Sequence, residues 1–250
     1  MSNRLTGKTA FVTGAGSGIG RQVAARFTAE GARVVYTDRD LEAAAEAAGD
    51  HPDNLAVRVD IADETSVEQG FAAARAAGFE PNVVLANAGV QLFGQDAPIA
   101  DLDLEAWNRT IAVNLTGTFL TVKHAVRAML NRGGSIIITG SPTGISGEGK
   151  DFTAYSCSKA GVHGMARTVA AAYAHHGIRV NTVVPGYTET PLVTTISDHE
   201  GDHADIVARI PLGRPGRPSD VEGIMVYLAS DESSFATGAI FQVDGGMTTL

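Results

Sequence analysis

Residues Thr9–Thr13 form a short apolar, β-branched run that leads without a break into Thr13-Gly14-Ala15-Gly16-Ser17-Gly18-Ile19-Gly20. Ile19, Val23 and Phe27 then recur at i, i+4 and i+8, and the pattern stops at Gly31. A strand, a glycine turn and an amphipathic helix with a glycine C-cap therefore follow one another directly. A helix that packs back on its own strand delivers the chain to a parallel neighbour, so this unit predicts a parallel sheet. The glycines also let backbone N–H groups meet a pyrophosphate at the helix N-terminus. The spacing is T-G-x-x-x-G-x-G, a variant of G-x-G-x-x-G that does the same work. It makes Gly14, Ser17, Gly18, Ile19 and Gly20 candidate cofactor contacts.

The alternation continues along the chain. Arg33–Thr37, Ala56–Asp60, Val83–Ala86, Ser135–Thr139, Arg179–Val184 and Ile240–Val243 read as further strands. Most are apolar nearly throughout, as strands covered on both faces should be. Thr110–Leu130 and Thr153–Ala174 read as long helices, and Ser219-Asp220-Val221-Glu222 matches a capping box. The expected fold is α/β: a doubly wound, mostly parallel seven-stranded Rossmann sheet with helices on both faces. A single domain should cover residues 1–250. Tyr187–Pro218, with four prolines, is the longest irregular stretch and is expected to act as a substrate-binding lid.

Composition narrows the function. The formal net charge is −9 and no run of Lys and Arg occurs, which argues against a nucleic-acid or anionic-membrane partner. No signal peptide is read in Met1–Gly20 and no stretch approaches ~18 apolar residues. The single cysteine, Cys157, excludes an intrachain disulfide and suits a reducing, cytoplasmic setting. No metal site is expected.

Tyr155 and Lys159 lie four apart at the start of a helical stretch, which puts phenol and ammonium on one face. A neighbouring cation stabilises a phenolate, so the pair is a candidate acid/base for an alcohol oxygen, with a lowered tyrosine pKa expected. Asp38 ends the second strand, where a carboxylate accepts hydrogen bonds from both ribose hydroxyls of NAD and repels the 2′-phosphate of NADP. Arg39 beside it could hold that phosphate, but the carboxylate sits at the strand end itself. Asp60, followed by Ile61, could face the adenine or cap the next helix. Asn87-Ala88-Gly89 ends the fourth strand, where ligands of open α/β sheets bind, so Asn87 and Gly89 are further candidates.

With these motifs in order the chain resembles the short-chain dehydrogenase/reductase family in its compact form. The resemblance also takes in Asn114 in a helix, Ser141 after a strand, Pro185-Gly186 after the next, and Val243-Asp244-Gly245-Gly246. It implies that Tyr155 gives and takes the proton, that Ser141 holds the substrate oxygen, and that Lys159 binds the nicotinamide ribose. It implies that Asn114 bends its helix and holds a relay water, and that Pro185, Gly186, Thr188 and Thr190 cover the nicotinamide carboxamide. The implied activity is an NAD-dependent interconversion of a secondary alcohol and a ketone. The long helices resemble the family's tetramer-forming pair, so a homotetramer is expected. Cys157 occupies a place where Ala or Ser is common and is expected to be a small buried hydrophobe.

Glu148, Lys150, Asp151, Ser197, Asp198, His199, Glu200, Asp202 and His203 suggest a polar polyhydroxy substrate such as a sugar or sugar acid. They equally suit a solvated outer face. Two alternatives stand beside this reading. One is a reductase of carrier-bound 3-oxoacyl chains, for which Arg132 and His176 could form a basic docking patch. The other is an NAD-binding sensor or scaffold without turnover, which should have lost one of Ser141, Tyr155, Lys159 or Asn114.

Overall fold

The computed structural model describes residues 3–147, 149–193 and 200–249, without the side chains of 200–203. The strands are β1 Thr9–Thr13, β2 Arg33–Asp38, β3 Asn54–Arg58, β4 Val83–Ala86, β5 Gly134–Thr139, β6 Ile178–Pro185 and β7 Ile240–Val243. They form one parallel sheet in the order β3-β2-β1-β4-β5-β6-β7. The helices are α1 Gly18–Ala29, α2 Leu41–Ala48, α3 Glu64–Ala76, α4 Leu104–Thr110, α5 Thr118–Met129, α6 Thr153–Tyr173, α7 Glu200–Ala208 and α8 Pro218–Ala229.

Most strands are apolar nearly throughout because both faces of the sheet are covered. On one face Phe11, Val84, Ile136 and Ile138 pack against Val67 and Phe71 of α3, Leu120 and Met129 of α5, and Val162 and Ala166 of α6. The Phe11 and Phe71 rings stack 4.2 Å apart. On the other face Val12, Tyr36, Leu85 and Ile137 meet Val23 and Phe27 of α1 and Met225 and Leu228 of α8. Successive residues of each strand thus serve opposite cores, at roughly 1.5–3 kcal/mol for each fully buried large side chain. The chain winds outward from β1 to β3, then returns to place β4 on the other side of β1. That reversal opens a crevice at the carboxyl ends of β1 and β4.

Several expectations need correction. The third strand lies two residues earlier than expected, because its register is set by β2: Asp38 pairs with Arg58. Asp60 lies beyond the strand, and its amide donates to the Ser66 hydroxyl oxygen at 2.9 Å. The expected single helix over Thr110–Leu130 is the end of α4, a π-helical segment Ile111–Gly117 and α5. The capping box before α8 is shifted: Pro218 is the first helical residue, and the Asp220 carboxylate accepts from the Arg217 amide at 2.7 Å. The irregular stretch Tyr187–Pro218 contains α7.

Candidate active site

The carboxyl ends of the central strands open into a cavity of about 1470 Å³. That exceeds the usual span of small-ligand pockets, roughly 300–1,000 Å³, and suits a dinucleotide with a second ligand. All the site residues read from the sequence line it except Asn114 and Gly20, which support it from behind.

The glycine turn makes the first half. Gly14 and Gly18 have φ of 66° and 53°, the left-handed region that glycine occupies without strain. A Cβ on Gly20 would lie 2.1 Å from the Gly14 carbonyl oxygen, so α1 can approach its own turn only with glycine there. Ser17, the N-cap of α1, is exposed and makes no side-chain cap, which leaves the first-turn amides facing the cavity. Asp38 folds its carboxylate over this turn, accepting from the Gly16 amide at 3.1 Å and the Asp40 amide at 3.2 Å. Asp60 instead accepts from the Ala62 amide at 3.0 Å, and the cap of α3 is Asp63. Ile61 is buried against the π segment, where a Cβ on Gly117 would come within 2.8 Å of it.

A chain of polar contacts crosses the floor. The Asn87 amide donates to the Thr13 hydroxyl at 3.0 Å, and its side-chain nitrogen to the Thr13 carbonyl at 3.2 Å. Thr139 donates its hydroxyl to the Asn87 side-chain oxygen at 3.1 Å. Lys159 donates from Nζ to the Thr139 carbonyl at 2.9 Å. Asn87 is therefore a staple across β1, β4 and β5. Asn114, 1% exposed within the π segment, clasps both main-chain groups of Val90 at 2.8 Å and reaches Ser158 at 3.3 Å. The expected irregularity in its helix is a π turn, and the clasp holds Gly89 between Asn114 and Lys159.

Tyr155 and Lys159 project from the first turns of α6, and Ser141 follows β5. Tyr155 and Ser141 line the same cavity, and the Ser141 and Thr143 hydroxyls lie 3.1 Å apart. The Lys159 nitrogen lies 5.6 Å from the centre of the Tyr155 ring, adjacent but not bonded to it. The tyrosine pKa moves opposite to expectation. Burial pushes Tyr155 up to about 12, with the neighbouring Ser141 side chain opposing it, and burial pushes Lys159 down to about 8. Without ligand, loss of hydration outweighs the neighbouring cation.

His163, one turn beyond Lys159, lies beneath the Ser141 loop, and a Cβ on Gly140 would come within 2.3 Å of its Nε2. Burial holds its pKa down at about 4, against an ordinary 6.5. The unfolded chain therefore binds the proton first as pH falls through this window, and stability drops with pH, by up to about 3 kcal/mol from this group. Urea unfolding at pH 7 and near pH 4.5 should show His163→Leu losing less stability than the parent. Equal acid sensitivity would contradict a neutral buried His163.

Pro185 ends β6, and a Cβ on Gly186 would strike the Asp244 backbone at 2.6 Å. Thr188 is buried and donates to the Gly186 carbonyl at 3.0 Å, while Thr190 abuts the glycine turn, 3.4 Å from where a Cβ on Gly18 would lie. Phe93 and Phe152 form an edge-to-face wall, centroids 5.8 Å apart, near Lys150, Asp151 and Arg209. This apolar wall was missed in the loop sequences, where charged residues dominate. Glu148, Ser197, Asp198 and His199 lie outside the described residues, as do the side chains of Glu200, Asp202 and His203. Cys157 is exposed on α6, not buried as expected, because its turn faces away from the sheet. Arg132 and His176 flank the amino end of β5, the opposite end of the sheet from the cavity. Arg132 pairs with Glu80, and His176 contacts the Leu130 carbonyl at 3.0 Å. They form no docking patch at the entrance. Among the described residues no helix is long and apolar enough to cross a membrane, and no cluster could hold a metal ion.

Comparison with known proteins gives the same assignment. A protein-family model described as enoyl-(acyl carrier protein) reductase matches residues 14–248. Cis-4-hydroxycyclohexanecarboxylate dehydrogenase of Sinomonas cyclohexanicum is 41% identical, with all of both chains covered. NADP-dependent (R)-specific alcohol dehydrogenase of Lentilactobacillus kefiri is 38% identical, with 99% of each chain covered. The crystal structure of a short-chain type dehydrogenase/reductase from Mycobacterium marinum superposes with a TM-score of 0.93 at 35% identity, covering 100% of this chain and 98% of that one. Sheet order, glycine turn and full-length similarity agree: the chain belongs to the short-chain dehydrogenase/reductase family of oxidoreductases.

Proposed function

We propose that the protein is an NAD-dependent oxidoreductase that interconverts a secondary alcohol and a ketone, with Tyr155 as acid/base. The observation that carries this reading is that Tyr155, Ser141 and Lys159 line one cavity that begins at the glycine turn, with the Lys159 nitrogen 5.6 Å from the Tyr155 ring centre. The first-turn amides of α1 would hold the pyrophosphate and Asp38 the adenosine ribose. Lys159 would hold the nicotinamide ribose, and Thr188 and Thr190 its carboxamide. When bound, the nicotinamide accepts or delivers the hydride. Ser141 holds the substrate oxygen against Tyr155. In oxidation the Tyr155 oxygen removes the hydroxyl proton, and in reduction the phenol protonates the carbonyl oxygen.

The substrate proposed is a compact polar secondary alcohol, a sugar acid or other small hydroxy acid. Lys150 and Arg209 on the cavity wall suit an acidic group, and the Phe93–Phe152 pair suits a ring face. The segment 187–218 contributes Thr188, Leu192 and Ile206 to that wall, which supports its role as the substrate-binding segment. Assembly as a cytoplasmic homotetramer through α5 and α6 belongs to the same proposal, supported by the exposed Phe119 and Cys157 on those helices.

Cofactor choice is the direct test. A carboxylate at Asp38 beside the adenosine ribose would repel a 2′-phosphate, at a cost on the order of 1–3 kcal/mol, so NAD should be preferred about ten- to hundredfold in kcat/KM. Steady-state kinetics on a panel of polyols, sugar acids, cyclic hydroxy acids and steroids measure both choices. Equal or better efficiency with NADP would transfer the role to Arg39. Silence across the whole panel would favour a cofactor-binding protein without turnover.

A further inference from the structure

A helix leaves its first amides without intrahelical partners, and α2, α3 and α4 each satisfy theirs with their own aspartate, Asp40, Asp63 or Asp103. The helix that carries Tyr155 does not. Its N-cap position is Phe152, whose side chain has no acceptor, and Tyr155 is the third residue of α6. The acceptor comes from far away in sequence. Asp96, 7% exposed, accepts from the Ala154 amide at 3.0 Å and from the Tyr155 amide at 2.9 Å. It also accepts from the Ala97 amide at 3.0 Å. These are the second and third helix amides, the ones an N-cap side chain takes. Thr153 donates its hydroxyl to the Ala97 carbonyl at 2.6 Å, and the Leu92 carbonyl accepts from the Gln95 and Asp96 amides at 3.0 and 2.9 Å. The loop and the helix start are clasped from both sides.

We propose that Asp96 is a positioning residue for the reaction: it caps α6 in place of a local residue and so fixes Tyr155 against Ser141. The inference rests on Tyr155 as the acid/base. It adds a link between substrate and proton transfer, because Phe93, on the same short loop, forms the cavity wall with Phe152 at the helix start. A substrate pressed on that wall bears on the anchor of Tyr155. A buried carboxylate that accepts three amides holds its place firmly, since hydrogen bonds to a charged acceptor are about twice as strong as neutral ones. Its charge also offsets the positive end of α6, which would otherwise favour the phenolate. The other charged groups around this cavity are Lys159 on α6, Lys150 and Asp151 before it, Asp205 on α7 and Arg209 after it, with Asp38, Arg39, Asp40 and Asp60 at the glycine-turn end.

The test compares Asp96→Asn and Asp96→Ala with Asp103→Ala, which removes the cap of α4 away from the site. With kcat normalised to titrated NAD-binding sites, both Asp96 variants should lose about 10–100-fold in kcat, as expected for a displaced catalytic group. KM for NAD should stay within about twofold. The rising limb of the oxidation pH profile should move to lower pH in Asp96→Asn, because the helix end is no longer neutralised. Asp103→Ala should lose stability and keep kcat within about twofold. If both Asp96 variants retain kcat within about twofold, or lose it with the pH profile unmoved, the positioning role is overturned. Amide hydrogen exchange reads the cap without turnover. Slow exchange at Ala154 and Tyr155 in the parent, lost in Asp96→Asn, supports the inference even if no alcohol is oxidised, an outcome that would sink the Tyr155 reading alone. Fast exchange of these amides in the parent overturns it whether or not the variants fold.

Discussion

Tyr155→Phe is expected to lower kcat about 10²–10⁴-fold while NAD still binds. The change keeps the ring on α6 and removes only the oxygen that meets Ser141. Burial holds the ligand-free phenol protonated, with its pKa up at about 12. The state ready for action at neutral pH is therefore the acid, which serves ketone reduction. Alcohol oxidation needs the phenolate, so its rate should climb with pH while reduction falls at the alkaline end. Both slopes should vanish in Tyr155→Phe. Near-normal kcat in a folded Phe variant would place the proton path elsewhere, and flat profiles in both directions would separate Tyr155 from the rate-limiting step.

Lys159→Met should damage activity and stabilise the ligand-free protein at the same time. Loss of the cation beside Tyr155 should lower kcat by about 10²-fold or more and raise KM for NAD. Burial holds Lys159 at about 8 against an ordinary 10.5. Between those values the unfolded chain binds the extra proton, so the parent gains stability as pH rises through the window. Below it, keeping the buried ammonium costs up to about 3 kcal/mol. Methionine removes that cost and forfeits the hydrogen bond to Thr139, worth about 1 kcal/mol. Urea unfolding should show Lys159→Met ahead by about 1–2 kcal/mol at pH 7, with the gap closing near pH 10. A variant less stable than the parent at both pH values would mean that the ammonium sits comfortably in the fold.

Local pattern carried much of the architecture. The turn at Gly14–Gly20 and most strands stand within a residue or two of their expected places, since runs covered on both faces leave little choice of period. What escaped reading depends on distant partners. The register of β3 is imposed by β2, and the bend expected at Asn114 takes the form of a π turn at Ile111–Gly117, where Asn114 clasps the distant Val90. Tyr155, Lys159 and Ser141 converge as the motifs implied, yet the direction of the tyrosine shift was misread because burial has no local signature. Asn87 gave no hint of binding three strands, nor Asp96 of capping a helix 58 positions away. Arg132 and His176 failed as a docking patch for a topological reason: strand starts and strand ends lie on opposite rims of the sheet.

The contacts from Thr13 through Asn87 and Thr139 to Lys159 bind one wall of the cavity to the sheet. The facing wall, with Phe93, Lys150, Leu192 and Ile206, hangs from loops and a short helix. The two walls can diverge at different rates. A duplicated gene could exchange the outer one, residue by residue, and acquire a new substrate while inheriting its proton-handling machinery unaltered. The loop around Phe93 is the exception, because its neighbour Asp96 grips the helix of Tyr155. Changes there would alter selectivity and turnover together, so laboratory evolution toward new alcohols should fix its early substitutions on the 187–218 side.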